Sequence, residues 1–338
     1  MGFTILKDEK CPGCYGAGKV LLDGKEHIAF VSELEKTGVI DLLDPDTFET
    51  VRASEGPGGG MNIIPLKKDG EFLCIQKFYP VFKSEDAVVI WGYKENGKYT
   101  HKEVQPLPFV HRIECITVDG KDYLFCASLC KTKEFTDDWR FPGSVYTGEI
   151  DYEKREIHDF HVIYDGIIQD HGLTKLGEHG ERGLLISGKN GVNLLTHEAD
   201  GWKVENLVDE PTSDCVVADL DGDGVEELGT ITPFHGAFFS VYKKIDGKYQ
   251  KVWTLPGKHE FGHAIWGGRL NGRPAFLIGY RAGEMGLYLV EYVDGQYTFK
   301  VIDEHSGPAN VTVVHSKQGD LICAANRQTD RYTVYKED

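Results

Sequence analysis

The stretch HAIWGGRLNGRPAFLIGY, residues 263–280, is an apolar run, a Gly-containing turn and a second apolar run. The chain continues into GLYLVEYVDGQYTFKVIDE, residues 286–304, where an Asp-Gly pair separates two further strand candidates. Asp-Gly between apolar runs is a strong signal for a β-hairpin. Four consecutive strands joined by tight turns are typical of one β-propeller blade.

The same pattern returns about every 45 to 50 residues along the whole chain. The forty glycines are spread over all copies, as frequent tight turns require. We therefore predict an all-β fold, a seven-bladed β-propeller with four-stranded antiparallel blades that forms a single domain over residues 1–338. An open solenoid of the same repeats is the alternative. The other six copies begin at Tyr15, Met61, His111, His171, Asp214 and Asn310.

The two ends of the chain predict how the ring closes. The last copy stops at RYTVYKED, residues 331–338, with only three strands, and the chain opens with an unassigned strand candidate, GFTILKDE, residues 2–9. We expect this N-terminal strand to complete the last blade, because closure removes the open sheet edges.

Composition limits the partners and the compartment. The net charge of −17 leaves no basic face for a phosphate backbone, so nucleic acid is not expected as a partner. The sequence has no uncharged stretch long enough to span a membrane and begins without an apolar signal segment, which predicts a soluble cytoplasmic protein without a membrane partner. Cys74, Cys126, Cys215 and Cys323 lie in apolar runs and are expected to be reduced thiols.

Three histidines occupy equivalent positions where the first strand of a blade begins. His111, His171 and His263 are far apart in sequence but should point at one axis, because first strands line the channel of a propeller. Neutral imidazole is a common ligand of divalent transition metals, and three such ligands leave room for water or substrate. We predict a zinc, manganese or nickel site; the alternative for each histidine is an ordinary hydrogen-bonded loop residue.

The turns between second and third strands should open on the same face as these histidines. Their polar side chains predict catalytic groups, with His235 or Tyr79 as base and Arg281 or Arg140 orienting substrate oxygens. The alternative for the arginines is ion pairing with Asp137, Glu284 or Asp330 in the same loops. The residues predicted to bind substrate are Lys189, Arg327 and, at a first-strand entry, Asn310.

A calcium site is predicted in one blade only. DLDGDGVEE, residues 219–227, places carboxylates at alternate positions of a Gly-bearing turn, which is how loops wrap oxygen ligands round calcium. A structural role is favoured over a sensor, because the flanks are strands and the final glutamate comes too early for an EF-hand. The predicted ligands are Asp219, Asp221, Asp223 and Glu227.

The segment CPGC, residues 11–14, is a second cysteine feature. Cys11 and Cys14 are interpreted as part of a surface turn, with half of a zinc site as the alternative. The order of Pro and Gly and the lack of a βαβ pattern disfavour a thioredoxin-like redox motif.

Two resemblances add to this interpretation. DCVVADLDGDGVEELGTI, residues 214–231, resembles the FG-GAP/VCBS repeats of integrin-like propellers, which carry calcium turns. The positions of His111, His171 and His263 resemble those in the propeller of the aldos-2-ulose (anhydrofructose) dehydratases, which implies removal of water from a keto-sugar with help from a divalent metal. Seven-bladed polysaccharide lyases are similar in using His, Tyr and Arg in the channel.

The combined expectation is a metal-dependent carbon–oxygen lyase (dehydratase) or isomerase that acts on a small sugar or keto-sugar in the channel. One alternative is a non-catalytic propeller that binds a glycan or a protein partner. A second alternative is a polysaccharide lyase that works by His/Tyr β-elimination. Nucleophilic hydrolysis through Cys215 is a further possibility.

Overall fold

The computed structural model describes residues 2–199 and 201–338, apart from the side chains of Val81 and Phe82. It confirms the all-β prediction, with seven four-stranded antiparallel sheets arranged as the blades of a ring. The first strands of neighbouring blades contact one another, so they line the channel. Each predicted copy begins within three residues of an observed first strand.

The first three blades follow the chain from the channel outward. Blade one contains β2 (Cys14–Leu22), β3 (Lys25–Ser32), β4 (Ile40–Leu43) and β5 (Thr50–Ser54). Blade two contains β6 (Ile63–Pro65), β7 (Phe72–Gln76), β8 (Val88–Glu95) and β9 (Lys98–Pro106), with the short 3-10 helix Val81–Asp86 between β7 and β8. Blade three contains β10 (Val110–Val118), β11 (Lys121–Ser128), β12 (Gly143–Asp151) and β13 (Glu156–Ile167).

The next three blades repeat this order. Blade four contains β14 (Gly172–Lys175), β15 (Leu184–Gly188), β16 (Gly191–Glu198) and β17 (Gly201–Val208). Blade five contains β18 (Asp214–Ala218), β19 (Glu227–Thr232), β20 (Phe238–Ile245) and β21 (Lys248–Thr254). Blade six contains β22 (Glu260–Leu270), β23 (Arg273–Ala282), β24 (Leu287–Val293) and β25 (Gln296–Asp303).

Blade seven closes the ring in the predicted way. It contains β26 (Asn310–Ser316), β27 (Gly319–Asn326), β28 (Arg331–Glu337) and, as its outermost strand, β1 (Phe3–Lys10). β1 pairs antiparallel with β28, from Phe3 opposite Glu337 to Lys10 opposite Arg331. The two ends of the chain therefore hydrogen-bond to each other across one blade.

The core lies between adjacent blades. Alternating side chains of each sheet pack on those of the next blade, and the fully buried Trp91 indole also donates a 2.7 Å hydrogen bond to Glu71. The inner strands approach so closely that a Cβ on Gly16 would lie 2.2 Å from the Met61 carbonyl oxygen, so only glycine fits there. No helix in the described part of the chain is long and apolar enough to cross a membrane.

The CPGC segment is a turn, but its prediction as a surface feature is wrong. The Cys14 N–H donates to the Cys11 carbonyl at 3.0 Å, and Gly13 supplies the positive φ of 66° that the turn needs. The segment connects the outer strand of blade seven to the inner strand of blade one, so both thiols are enclosed between these blades. All eight cysteines are free thiols.

Candidate functional site

A cavity of about 360 Å³ lies at one mouth of the channel. First-strand residues such as Tyr15 and His263 line it together with second-to-third-strand turn residues such as Tyr79 and His235. A larger open depression of about 670 Å³ lies between β5 and β9, but its described residues bring no three metal-ligand groups together. The channel cavity is therefore the candidate site.

Three imidazoles converge in this cavity. His171, His235 and His263 each offer one ring nitrogen, and these nitrogens lie within 4.8 Å of one another. The Nε2 atoms of His171 and His235 are 3.2 Å apart. Two nitrogens bound at 2.0–2.1 Å to one tetrahedral ion would be separated by about 3.3 Å. The residues present therefore fit a transition-metal ion.

This set differs from the predicted one, because His235 takes the place of His111. The turn after β19 projects His235 toward the channel, with a φ of +47° that is uncommon for a residue other than glycine. The Gly236 N–H closes the turn on the Pro233 carbonyl at 2.8 Å, and the His235 ring stacks on Phe234 with centroids 4.0 Å apart.

His111 remains in the cavity but has another partner. Its Nε2 atom is 3.2 Å from the Tyr15 hydroxyl, which is also 3.0 Å from His263 Nε2. His263 Nδ1 must carry a hydrogen, since it lies 2.6 Å from the Ala309 carbonyl oxygen, an acceptor only. The neutral His263 Nε2 therefore accepts from Tyr15, and His111 Nε2–H donates to the Tyr15 oxygen.

A buried carboxylate behind His171 was not predicted as a site residue. Asp214 Oδ2 is 3.4 Å from His171 Nδ1 and 3.0 Å from Arg112 Nη2. Burial alone would raise the pKa of Asp214, but the Arg112 charge and the contact with His171 hold it below its usual value. The carboxylate therefore favours a hydrogen on Nδ1 and leaves Nε2 to face His235. The signal was available, since Asp214 begins a first strand and Arg112 follows His111.

The imidazoles of the cavity are held in the neutral form. Burial lowers the pKa of His111, His235 and His263 well below its ordinary value, and neighbouring imidazoles and guanidinium groups add to the effect. Burial also lowers the pKa of His171, against the opposing contact with Asp214. Burial raises the pKa of Tyr15 to about 12, so its hydroxyl keeps its hydrogen at neutral pH.

The predicted turn residues divide into two groups. Tyr79, Arg281 and Arg327 line the cavity, and Arg327 pairs with Glu33. Asn310 donates a 2.8 Å hydrogen bond to the Tyr15 carbonyl, so it positions Tyr15 and is not itself a lining residue.

Arg140 and Lys189 do not line the cavity, which corrects their predicted roles. The Arg140 guanidinium lies 2.7 Å from carboxylate oxygens of both Asp138 and Glu134. These partners hold it away from the channel. Lys189 belongs to the two-residue turn between β15 and β16, which is too short to reach the axis.

Further aromatic and charged side chains line the cavity, and none of them was predicted as a catalytic, metal-binding or substrate-binding residue. Two of these rings contact His235: Phe234, which directly precedes it in sequence, stacks on it, and Phe261 lies with its centroid 4.6 Å from that of His235. The charged groups are one lysine and two carboxylates. These lining residues are Phe78, Trp139, Phe234, Phe261, Glu33, Lys133 and Asp137.

The predicted calcium turn brings its three aspartates together, and a lysine contacts two of them. Carboxylate oxygens of Asp219, Asp221 and Asp223 lie within 4.8 Å of one another. The Lys243 ammonium contacts Asp221 and lies 2.9 Å from Asp223. Glu227 is buried and accepts the Leu220 N–H at 2.7 Å. The Lys243 charge therefore competes with calcium for Asp221 and Asp223, and calcium binding at this turn stays a prediction.

Comparison with solved structures supports the architecture. A candidate 6-phosphogluconolactonase from Bacteroides fragilis is 13% identical, with 90% of this chain and 87% of that chain covered and a TM-score of 0.59. A similar protein from Bacteroides uniformis is 10% identical, with 89% and 88% covered and a TM-score of 0.61. A chain of a mitotic checkpoint complex is 10% identical, with 98% and 93% covered and a TM-score of 0.66.

No protein-family model and no curated protein sequence matches the chain. At these low identities the structural likeness carries the fold and not the activity. The chain is a seven-bladed β-propeller with structural relatives among propellers of different kinds.

Proposed function

We propose that this protein is a metal-dependent carbon–oxygen lyase that removes water from a small sugar or keto-sugar in the channel cavity. The observation that carries the proposal is the convergence of His171, His235 and His263 nitrogens within 4.8 Å. These residues, and not His111, would hold the metal. A bound divalent ion would supply Lewis acidity to a substrate carbonyl and so acidify the neighbouring carbon.

One hydrogen-bond acceptor and one carboxylate charge behind the ring nitrogens support this role. The Ala309 carbonyl holds a hydrogen on His263 Nδ1, and Asp214 favours one on His171 Nδ1. Both Nε2 lone pairs therefore face the cavity. Acceptors of this kind fix the tautomer and the orientation of metal-binding histidines in many proteins.

Tyr15 is the group that we assign to return a proton to the departing hydroxyl. Its hydroxyl hydrogen lies toward His263 Nε2. If His263 Nε2 held a metal, its lone pair would no longer accept the Tyr15 hydrogen. A substrate hydroxyl in the cavity would then be the acceptor. The His111 N–H at 3.2 Å would stabilise the phenolate that forms.

The remaining predicted base, Tyr79, is assigned to act as a phenolate that takes the proton from the carbon next to the carbonyl and becomes a phenol. The C–H electron pair then forms the C=C bond, the C–O bond breaks, and the oxygen leaves as water with the proton from Tyr15. The cavity volume of about 360 Å³ is typical of a small-molecule site, which favours this substrate class over a polymer.

The proposal is tested by an elimination assay on purified protein. Protein treated with EDTA and reloaded with zinc, manganese or nickel is incubated with a panel of keto-sugars, and the unsaturated product is followed by absorbance. We expect metal-dependent turnover that falls to background in His235→Ala and persists in His161→Ala, where the histidine is exposed. Turnover that is unaffected by EDTA and by His235→Ala would contradict the proposal. Tight ligand binding with no turnover under any metal would favour a non-catalytic binding propeller.

A further inference from the structure

Arg281 stands out among the arginines of the cavity. Its Nε and Nη2 atoms donate to the Gln328 side-chain oxygen at 3.2 and 3.0 Å. No carboxylate of the described chain lies within ion-pair distance of it, whereas Arg327 pairs with Glu33 and Arg112 pairs with Asp214. Glu33 acts on the Arg281 charge only from beyond ion-pair distance. A half-buried guanidinium without an ion-pair partner is costly unless a ligand supplies one.

The side chains that line the cavity carry a net positive charge. Lys133, Arg281 and Arg327 carry three positive charges, and Glu33 and Asp137 carry two negative ones, which leaves +1 with the imidazoles neutral. Lys133 is buried over the Trp139 ring, with its ammonium 3.3 Å from the ring centroid. This balance is the reverse of the whole chain, whose net charge is −17. A cationic pocket in an acidic protein favours an anionic ligand.

Arg281 also lies beside the proposed reaction centre. Its guanidinium carbon is 5.7 Å from the Tyr15 ring centroid and 4.9 Å from that of Phe261, on the side of His263. A group bound to Arg281 would therefore place the adjoining carbon atoms next to Tyr15 and His263. The planar fork of a guanidinium matches a carboxylate in a bidentate contact.

We infer that the ligand of this cavity is a sugar acid, a small polyhydroxylated monoanion whose carboxylate is bound by Arg281. The inference rests on the proposed function for the assignment of the reaction, but not for the binding of the anion. In the metal-free cavity a carboxylate fits better than a phosphate ester, because its single charge matches the +1 balance of the lining, and the described residues show one guanidinium without a carboxylate partner in the cavity.

The test compares ligands that differ in one group. Calorimetry measures the affinities of gluconate against sorbitol, galacturonate against galactose, and glucose 6-phosphate against glucose. EDTA-treated and metal-loaded protein are both titrated, because a carboxylate can also bind a metal. We expect EDTA-treated wild type to bind at least one acid about ten- to hundredfold more tightly than its neutral partner. Arg281→Gln should lose that preference, and Arg281→Lys should recover part of it.

Arg269→Gln is the matched control, since this exposed arginine donates, among the described residues, only to the Gly272 carbonyl. A thermal melt of Arg281→Gln verifies that the variant is folded. Equal affinity for acids and neutral sugars, or an acid preference that survives in Arg281→Gln, would overturn the inference, as would selective binding of the phosphate ester. Acid-selective binding without metal uptake or turnover would support the inference and contradict the proposed function. Metal-dependent turnover of neutral sugars with no acid preference would support the proposed function and contradict the inference.

Discussion

His171 and His235 face each other with their Nε2 atoms 3.2 Å apart, although 64 residues separate them in sequence. One belongs to a first-strand entry and the other to the turn of the following blade. Their separation matches that of two ligands on one tetrahedral ion, and it follows from the packing of blade four against blade five.

Asp214 is expected to act on the metal through His171. Asp214→Asn removes the charge that favours a hydrogen on His171 Nδ1 and should lower metal affinity about 10- to 100-fold. Competition titration against a chromogenic chelator measures the change. Asp209→Asn, at an exposed position before the same strand, is the control. Unchanged affinity in folded Asp214→Asn would show that the carboxylate does not orient the imidazole.

Tyr15 is expected to matter for turnover and not for metal binding. Tyr15→Phe keeps the ring and its edge contact with His263 but removes the hydroxyl between His111 and His263. Loss of a general acid should lower kcat about 10²- to 10⁴-fold with metal content unchanged. Steady-state kinetics beside elemental analysis separates the two effects. A kcat within twofold of wild type would remove Tyr15 from the mechanism.

Lys243 is expected to replace calcium in the aspartate turn. Lys243→Met leaves Asp221 and Asp223 without their cation, so the variant should be less stable than wild type and should be stabilised by millimolar calcium. Calcium at a hundredfold its Kd would contribute about 2.7 kcal/mol. Thermal melts with and without calcium measure this response. Wild type should respond little, and Asp221→Asn in the Lys243→Met background should abolish the response. A calcium response in wild type as large as in the variant would contradict this account.

The four histidines of the cavity should make metal-free protein sensitive to mild acid. Burial lowers the pKa of His111, His171, His235 and His263 in the folded state, so the unfolded chain takes up their protons first as the pH falls. Their contribution to the free energy of unfolding is complete above pH 6.5, the approximate pKa of histidine in the unfolded chain. Below that pH it declines by about 1.4 kcal/mol per pH unit for each histidine. Urea unfolding in EDTA between pH 7.5 and 5.5 measures this slope.

His111→Gln should reduce the slope of the free energy of unfolding against pH by the contribution of one histidine. The comparison of slopes does not depend on the absolute stability of the variant. A free energy of unfolding that stays level from pH 7.5 to 5.5, or the same slope in both proteins, would contradict the burial of neutral imidazoles.

The ring was predictable from local signals. The pattern of residues 263–280 recurs often enough along the chain to predict the number of blades. The unassigned strand candidate at residues 2–9 predicted the strand that closes the ring. These features depend on residues close in sequence, and strand period and turn chemistry encode them directly.

The membership of the site was only partly predictable. His171 and His263 lie in the cavity, as their repeat position predicts. Which of His111 and His235 joins them in a candidate metal site depends on how far one turn reaches across the axis. The prediction that Lys189 reaches the channel is wrong because its turn has only two residues. The same prediction for Arg140 is wrong because nearby carboxylates hold its guanidinium away from the channel. The Lys243 contact joins residues from a turn and a neighbouring strand, and sequence spacing does not report such a contact.

Elemental analysis of wild type, His235→Ala and His111→Ala after zinc loading and gel filtration tests the central claim most directly. The structure predicts about one zinc per chain in wild type and in His111→Ala, and none in His235→Ala, because His235, and not His111, completes a set of ring nitrogens within 4.8 Å of one another with His171 and His263. Zinc retained by His235→Ala and lost from His111→Ala would contradict the assigned site, and no zinc in any of the three proteins would contradict a metal centre in this cavity.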